Sequence, residues 1–204
     1  MKTLFIFIIF LNLGECFSQK IDTVIHALNY TSYFSYRLRE PLYVTYKLKD
    51  AGGDCSRKGD VFKTGGLPHS AISKDYKGSG YDEGHLADSK DFANDCLLQE
   101  ATFRFYNCVP QTPRLNRGIW KHFETIIRKE SQTDSLLIIA GSIFGSKKIG
   151  EDSIAVPEQC FKIVLSMSTG NIIHCLLFPN DNSNTYTDID IAELQKLIPY
   201  TINY

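Results

Sequence analysis

Hydrophobic and polar positions change their rhythm several times along this chain, and each rhythm predicts an element. Tyr43-Val44-Thr45-Tyr46 is a run of aromatic and β-branched residues and predicts a strand. From Lys49 to Gly80 glycine, lysine, serine and aspartate are frequent, which predicts loops over the surface. Thr102-Phe103-Arg104-Phe105-Tyr106 alternates and predicts another strand, after which Pro110 and Pro113 break the ladder. Ile119, Trp120, Phe123, Ile126 and Ile127 then recur at three- and four-residue spacing, the buried stripe of a helix that begins near Leu115. Leu136-Leu137-Ile138-Ile139-Ala140 is almost continuously apolar, as expected of a central strand covered on both faces. Phe161–Met167 and Ile172–Phe178 flank Ser168-Thr169-Gly170-Asn171, a hairpin signal. Thr187-Asp188-Ile189-Asp190 opens a last helix through Ile198, with Thr187 as its cap. The sum is an α+β chain, an antiparallel sheet packed by helices, with no internal repeat and no low-complexity tract.

Composition narrows this picture only a little. At 204 residues, 43% hydrophobic and 22% charged, the chain suits one packed domain. Its net charge of −1 provides no basic footprint of the kind that tight nucleic-acid binders carry, though a hydrolase that must release its product needs none. The N-terminus says more. Met1-Lys2-Thr3 precedes Leu4–Leu11, a cationic tip and an apolar core too short to span a bilayer comfortably. We expect residues 1–18 to be a secretory signal peptide, with Cys16 and Ser18 as the small residues before the cut, and residues 19–204 to form a single domain. A buried N-terminal strand is the alternative. Export makes the destination secreted or periplasmic and therefore oxidising. The cysteines then left are Cys55, Cys96, Cys108, Cys160 and Cys175, an odd set, so at least one stays free or pairs between chains. Cys96 with Cys108 and Cys160 with Cys175 are the local bridges to expect, although spacing alone does not set connectivity. No Cys-x-x-Cys pair suggests structural zinc.

The chemistry concentrates between Tyr81 and Glu124. This stretch reads Tyr81-Asp82-Glu83-Gly84-His85-Leu86, then Asn107-Cys108-Val109-Pro110-Gln111, then Leu115-Asn116-Arg117-Gly118-Ile119-Trp120, with Glu124 following. Hydrolysis of a phosphodiester needs an activated water, a cation on the scissile phosphate and support for the leaving oxygen. His85 suits the base, because imidazole titrates near neutrality without special tuning. Asn116 offers a neutral carbonyl oxygen to Mg²⁺, an ion that keeps several waters and leans on substrate phosphate oxygens. Glu124 suits the holding of a metal-bound water, and on an ideal α-helix it lies rotated about 80° from Asn116, toward the same edge. Asn107 would orient its loop or hydrogen-bond the phosphate, and the fork of Arg57 would meet phosphate oxygens. Each has a plainer reading. Asn116 caps a helix, Glu124 pairs with Arg128 one turn on, Asn107 satisfies backbone groups, and Arg57 is one exposed base among many. The other histidines, His26, His69, His122 and His174, read as structural or surface residues.

The three blocks together resemble the DNA/RNA non-specific endonucleases, the family of Serratia-type nuclease and mitochondrial endonuclease G. The family pattern runs Asp-Arg-Gly-His, Asn-x-x-Pro-Gln and Asn-x-Gly-x-Trp with a following Glu, and this chain matches all three in order. Ala140–Phe144 and Phe161–Leu165 look like its later strands, so the likeness covers most of Tyr43 to Ile198. The resemblance implies a ββα-metal (His-Me finger) core and cleavage of DNA and RNA with little sequence preference, leaving 5′-phosphates. It implies His85 as general base, Asn116 as direct ligand of Mg²⁺ (or Mn²⁺), Glu124 on metal-bound water, Asn107 in support and Arg57 on phosphate. Family members are often homodimers, though no dimer-forming surface is legible here. One position departs: Glu83 stands where the family has arginine. Three outcomes follow from that exchange. Lys74, Lys77 or Arg57 replaces the lost cation; Glu83 points away or helps to hold the metal; or the protein is a weak nuclease-fold binder of nucleic acid or of a protein partner.

Overall fold

The computed structural model describes residues 19–202; the expected signal peptide, residues 1–18, lies outside the described residues. Seven strands form the main sheet. They are β1 (Thr23–His26), β2 (Thr31–Ser35), β3 (Glu40–Leu48), β6 (Leu136–Ile149), β7 (Ile154–Ser166), β8 (Ile172–Pro179) and β9 (Thr187–Asp188), in that spatial order and antiparallel throughout. A separate two-stranded ribbon joins β4 (Asp82–His85) to β5 (Cys108–Gln111). The helices are α1 (Ser73–Tyr76), α2 (Cys96–Ala101), α3 (Lys121–Glu130) and α4 (Ile191–Leu197). The fold is α+β.

The apolar run read as a central strand is the start of β6, paired with β3 on one side and β7 on the other. Register assigns the covering layers. Phe178, Cys160 and Ser142 stand opposite one another in one row across β8, β7 and β6, while Leu177, Phe161, Gly141 and Tyr43 form the adjacent row. Adjacent rows face opposite sides of a sheet. Trp120 and Phe123 meet Phe178 edge-on at 5.2 and 5.6 Å, so α3 covers one side. Tyr200 stacks on Tyr43 at 5.6 Å, so the C-terminal segment covers the other. Covering both sides explains why β6 reads as continuously apolar rather than alternating.

Three expectations change. The segment Thr102–Tyr106 is no strand: Thr102 ends α2, Phe105–Asn107 is a single 3₁₀ turn, and only Arg104 makes a bridge, to Lys63. Its alternation is real, since Phe103 and Phe105 are buried, but the Asn107 side chain takes the Thr102 carbonyl that a ladder would have used. The last helix begins later than expected. Asp190, not Thr187, caps it through a reciprocal pair with Glu193, while Thr187–Asp188 joins the sheet edge as β9.

The disulfide expectations also fail. Cys55 bonds Cys96 across 41 residues, and Cys108, Cys160 and Cys175 are free and buried. Cys160 and Cys175 lie on paired strands but out of register, Cys160 facing Phe178 and Cys175 facing Ile163. Cys108 opens β5 opposite His85, with its sulfur 3.4 Å from the Tyr76 hydroxyl, whereas Cys96 opens α2. Among the described residues no helix is long and apolar enough to cross a membrane.

Candidate active site

The ribbon and the start of the long helix are shaped by two glycines that leave no space for a side chain. A Cβ at Gly84 would run into the side chain of Gln111 on the paired strand. A Cβ at Gly118 would strike Asn184, whose Oδ1 accepts from the Ile119 amide at 2.7 Å. Gly118 (φ −105°, ψ −113°) sits in a π-turn, Leu115–Trp120, that leads into α3. Such turns hydrogen-bond from i to i+5. The 100° step of an α-helix therefore does not run unbroken from Asn116 to Glu124, which corrects the angular argument made from sequence. Both still line one cleft of about 610 Å³, together with His85 and Arg57.

His85 is enclosed, only 7% exposed. Phe62 lies against its ring at 4.5 Å and Phe103 meets it edge-on at 4.7 Å. The Trp120 indole donates to the His85 carbonyl at 3.3 Å, tying the base to the start of α3. Its Nε2 is buried without a hydrogen-bond partner. Burial pushes the imidazole down to about 3, with Arg57 adding to the shift and Asp88 opposing it. The ring is thus neutral at physiological pH.

Asn116 is held by Asp82. Its Nδ2 donates to Asp82 Oδ2 at 2.9 Å, and Arg117 adds two hydrogen bonds to the same carboxylate at 2.8 and 2.6 Å. A carboxylate only accepts, so the amide nitrogen must face it and the carbonyl oxygen is turned elsewhere. Burial would raise Asp82, but the bonds from Arg117 and Asn116 outweigh it and hold the carboxyl below its ordinary value. Arg57 is exposed, its guanidinium 5.2 Å from the centroid of the same Phe103 ring that His85 meets edge-on. Glu83 lines the same cleft and does not point away from it. Lys74 reaches Glu151 at 2.6 Å, and neither it nor Lys77 lines the cleft.

Glu124 is buried with Lys162 as its counter-ion at 3.9 Å. That distance is too long for a hydrogen bond, and the Lys162 ammonium lies 3.9 Å over the Trp120 ring. Burial and the charge of Asp88 push Glu124 well above its ordinary range, while burial lowers Lys162. Arg128, expected to pair with Glu124, instead donates to Asp88 and, at 2.9 Å, to Asp91; Asp91 also accepts from the Tyr46 hydroxyl at 3.0 Å. Sequence reasoning missed Lys162, although a lysine inside the apolar run Phe161–Leu165 was a signal. It also missed Asp88, which carries no pattern of its own, and Asp82, although Asp82 opens the block that ends in His85.

Asn107 is fully buried and does not face the cleft. Its Nδ2 donates to the carbonyls of Ala87 and Thr102 at 3.0 and 2.9 Å, and its Oδ1 accepts from the Ala87 amide at 2.8 Å. Both donors are spent on backbone, so none remains for a phosphate. Asn107 orients the loop that follows His85.

The rim of the cleft is cationic, with Arg57, Lys90, Arg117, Lys121 and Arg128. Besides the His85 imidazole and the Asp88 carboxylate, which is taken by Arg128, the cleft presents the Asn116 carbonyl and the carboxyl groups of Glu83 and Glu124, oxygens of the type that hard divalent cations take. Among the described residues no three His, Cys, Asp or Glu side chains gather into a metal cage. A cation would fit here as a partly hydrated ion whose shell is completed by water or by substrate oxygens.

An antiparallel ribbon carrying a histidine, backed by a helix and set beside a large antiparallel sheet, is the architecture of a ββα-metal nuclease. The structure superposes on that of endonuclease G in the complex with its inhibitor EndoGI with a TM-score of 0.77, at 22% identity, covering 85% of this chain and 82% of that one. In sequence it is 28% identical over 163 residues to mitochondrial endonuclease G of Bos taurus, covering 71% of this chain and 54% of the relative. It is 38% identical over 95 residues to a nuclease of Nostoc sp., covering 46% and 35%. With human mitochondrial nuclease EXOG it shares 28% over 200 residues, covering 84% and 53%. The chain spans about half the length of the bovine and human relatives. The sequence model of the DNA/RNA non-specific endonucleases matches residues 14–203, and the chain belongs to that family.

Proposed function

We propose that this protein is an exported, metal-dependent endonuclease that hydrolyses phosphodiester bonds of both DNA and RNA. The observation that carries the reading is a histidine, His85, held neutral by burial and lining the same cleft as an asparagine whose carbonyl oxygen is set free by Asp82. His85 takes the proton from the attacking water, its ring held in the neutral form by burial. Phe62 and Phe103 hold the ring in one plane and keep bulk water from it. Arg57, Arg117 and Lys121 grip flanking phosphates. The Asn116 oxygen would hold a hard divalent cation, Mg²⁺ or Mn²⁺, which when bound would supply positive charge against the phosphate and the leaving oxygen. Glu124, with the Lys162 ammonium 3.9 Å away, orients a water at that side of the cleft. Export is supported by the apolar N-terminal stretch and by the Cys55–Cys96 disulfide, which persists in an oxidising compartment.

A second reading, a nuclease fold that binds without turnover, is favoured by one observation: Glu83 brings a carboxylate into the cleft. Digestion of supercoiled plasmid and of total RNA by the protein starting at Gln19 separates the two. Cleavage of both polymers, abolished by EDTA and by His85→Ala, is the expected outcome. A folded sample inert in Mg²⁺ and in Mn²⁺ means the binder.

A further inference from the structure

Glu83 is the acidic group in the cleft whose charge the protein leaves unanswered. Alternation along β4 turns it to the same face as His85, two residues on. It lines the cleft with His85 and Asn116, and also an adjoining groove with Asp82, Asn116 and Arg117. Its neighbour Asp82 takes a bidentate arginine, and Glu124 has Lys162. Glu83 has no lysine or arginine nitrogen within 4.0 Å among the described residues, although five cationic side chains line the cleft. Burial raises its carboxyl, and a hydrogen bond from Ser73 is the one influence drawing it down.

A half-buried carboxylate without a counter-charge is unfavourable by itself, and more so where a polyanion must dock. One occupant relieves both problems. We propose that Glu83 is a second protein ligand, with Asn116, for the divalent cation of this cleft. The inference rests on the nuclease reading and adds to it. Where the resembling family has an arginine that would touch phosphate, this chain has moved charge from the phosphate to the ion. Phosphate contacts then fall to Arg57, Arg117 and Lys121, which line the same cleft. Affinity of oxygen sites for hard cations rises with the charge of their ligands. A site with one carboxylate and one amide therefore holds its ion before substrate arrives, whereas an amide alone waits for the phosphate.

The test is Mn²⁺ binding, read by the loss of the free-ion electron paramagnetic resonance signal, to the protein starting at Gln19 without nucleic acid. Wild type, Glu83→Gln and Asn116→Ala are compared, with metal-free melting curves to show that each is folded. We expect the wild type to bind one Mn²⁺ and both variants to bind at least tenfold more weakly. Glu83→Gln binding Mn²⁺ as tightly as wild type overturns the assignment. A wild type that binds no Mn²⁺ in the absence of nucleic acid overturns it too, without recourse to any variant. Either result leaves the nuclease reading standing if plasmid is still cut, so the two failures are distinguishable.

Discussion

The imidazole of His85 has lost the water that would stabilise its charge, and the consequence reaches beyond the reaction. An unfolded histidine titrates near 6.5, whereas the folded ring takes its proton only near 3. Between these values the unfolded chain binds a proton that the folded chain does not. Stability contributed by this residue is therefore complete above pH 6.5 and declines as pH falls, at roughly 1.4 kcal/mol per pH unit. Melting curves of wild type and His85→Gln at pH 7.5 and pH 5 test this. The wild type is expected to lose more stability than the variant between the two, and parallel losses would refute it. At this scale the sequence was legible in part. The motif spacing singled out His85, Asn116 and Glu124, the loop upstream offered Arg57, and all four line the cleft. It could not tell that Asn107, drawn from the same pattern, would spend its amide on Ala87 and Thr102. An asparagine's spacing does not say which way its two donors point.

Between elements, the bridge from β4 to the π-turn is the contact on which the cleft's geometry depends. Asp82 on the ribbon receives Asn116 and Arg117 from the turn, and so sets which end of the Asn116 amide is exposed. Asp82→Asn can present an NH₂ to Asn116 and loses the charge that holds Arg117. We expect a folded protein with activity reduced by about 10–100-fold, the usual effect of removing a group that orients a metal ligand. Matching loss of Mn²⁺ affinity would show that orientation is what failed, and wild-type rates would dismiss the bridge. Periodicity found most strands and the stripe of α3, because burial on one face leaves a repeating trace. It misread Thr102–Tyr106, where two buried phenylalanines alternate without any partner strand. It also treated Leu115–Trp120 as ordinary helix, since a π-turn has no signature beyond the glycine that permits its close approach to Asn184.

Across the whole molecule, the disulfide ties the long loop carrying Arg57 and Phe62 to α2, near one end of the sheet. Closing a 41-residue separation is worth roughly 3–4 kcal/mol by loop-closure entropy. Cys55→Ser with Cys96→Ser should lower the melting temperature, and should weaken nucleic-acid binding more than a mere loss of stability explains, because Arg57 loses its anchor two residues away. An unchanged Michaelis constant in the folded variant would confine the bond to stability. The three free thiols are buried and are not expected to react under native conditions. The sequence by itself determined the fold class, the apolar centre of the sheet and the order of the chemical blocks, because these depend on short-range patterns of burial and on residue types at close spacing. Tertiary structure alone decided that Cys55 meets Cys96, that Lys162 lies beside Glu124, that Asp82 orients Asn116 and that His85 is neutral. These contacts join positions 34 to 41 residues apart, or depend on how much water the packed fold excludes, and neither quantity is written in any local stretch of the chain.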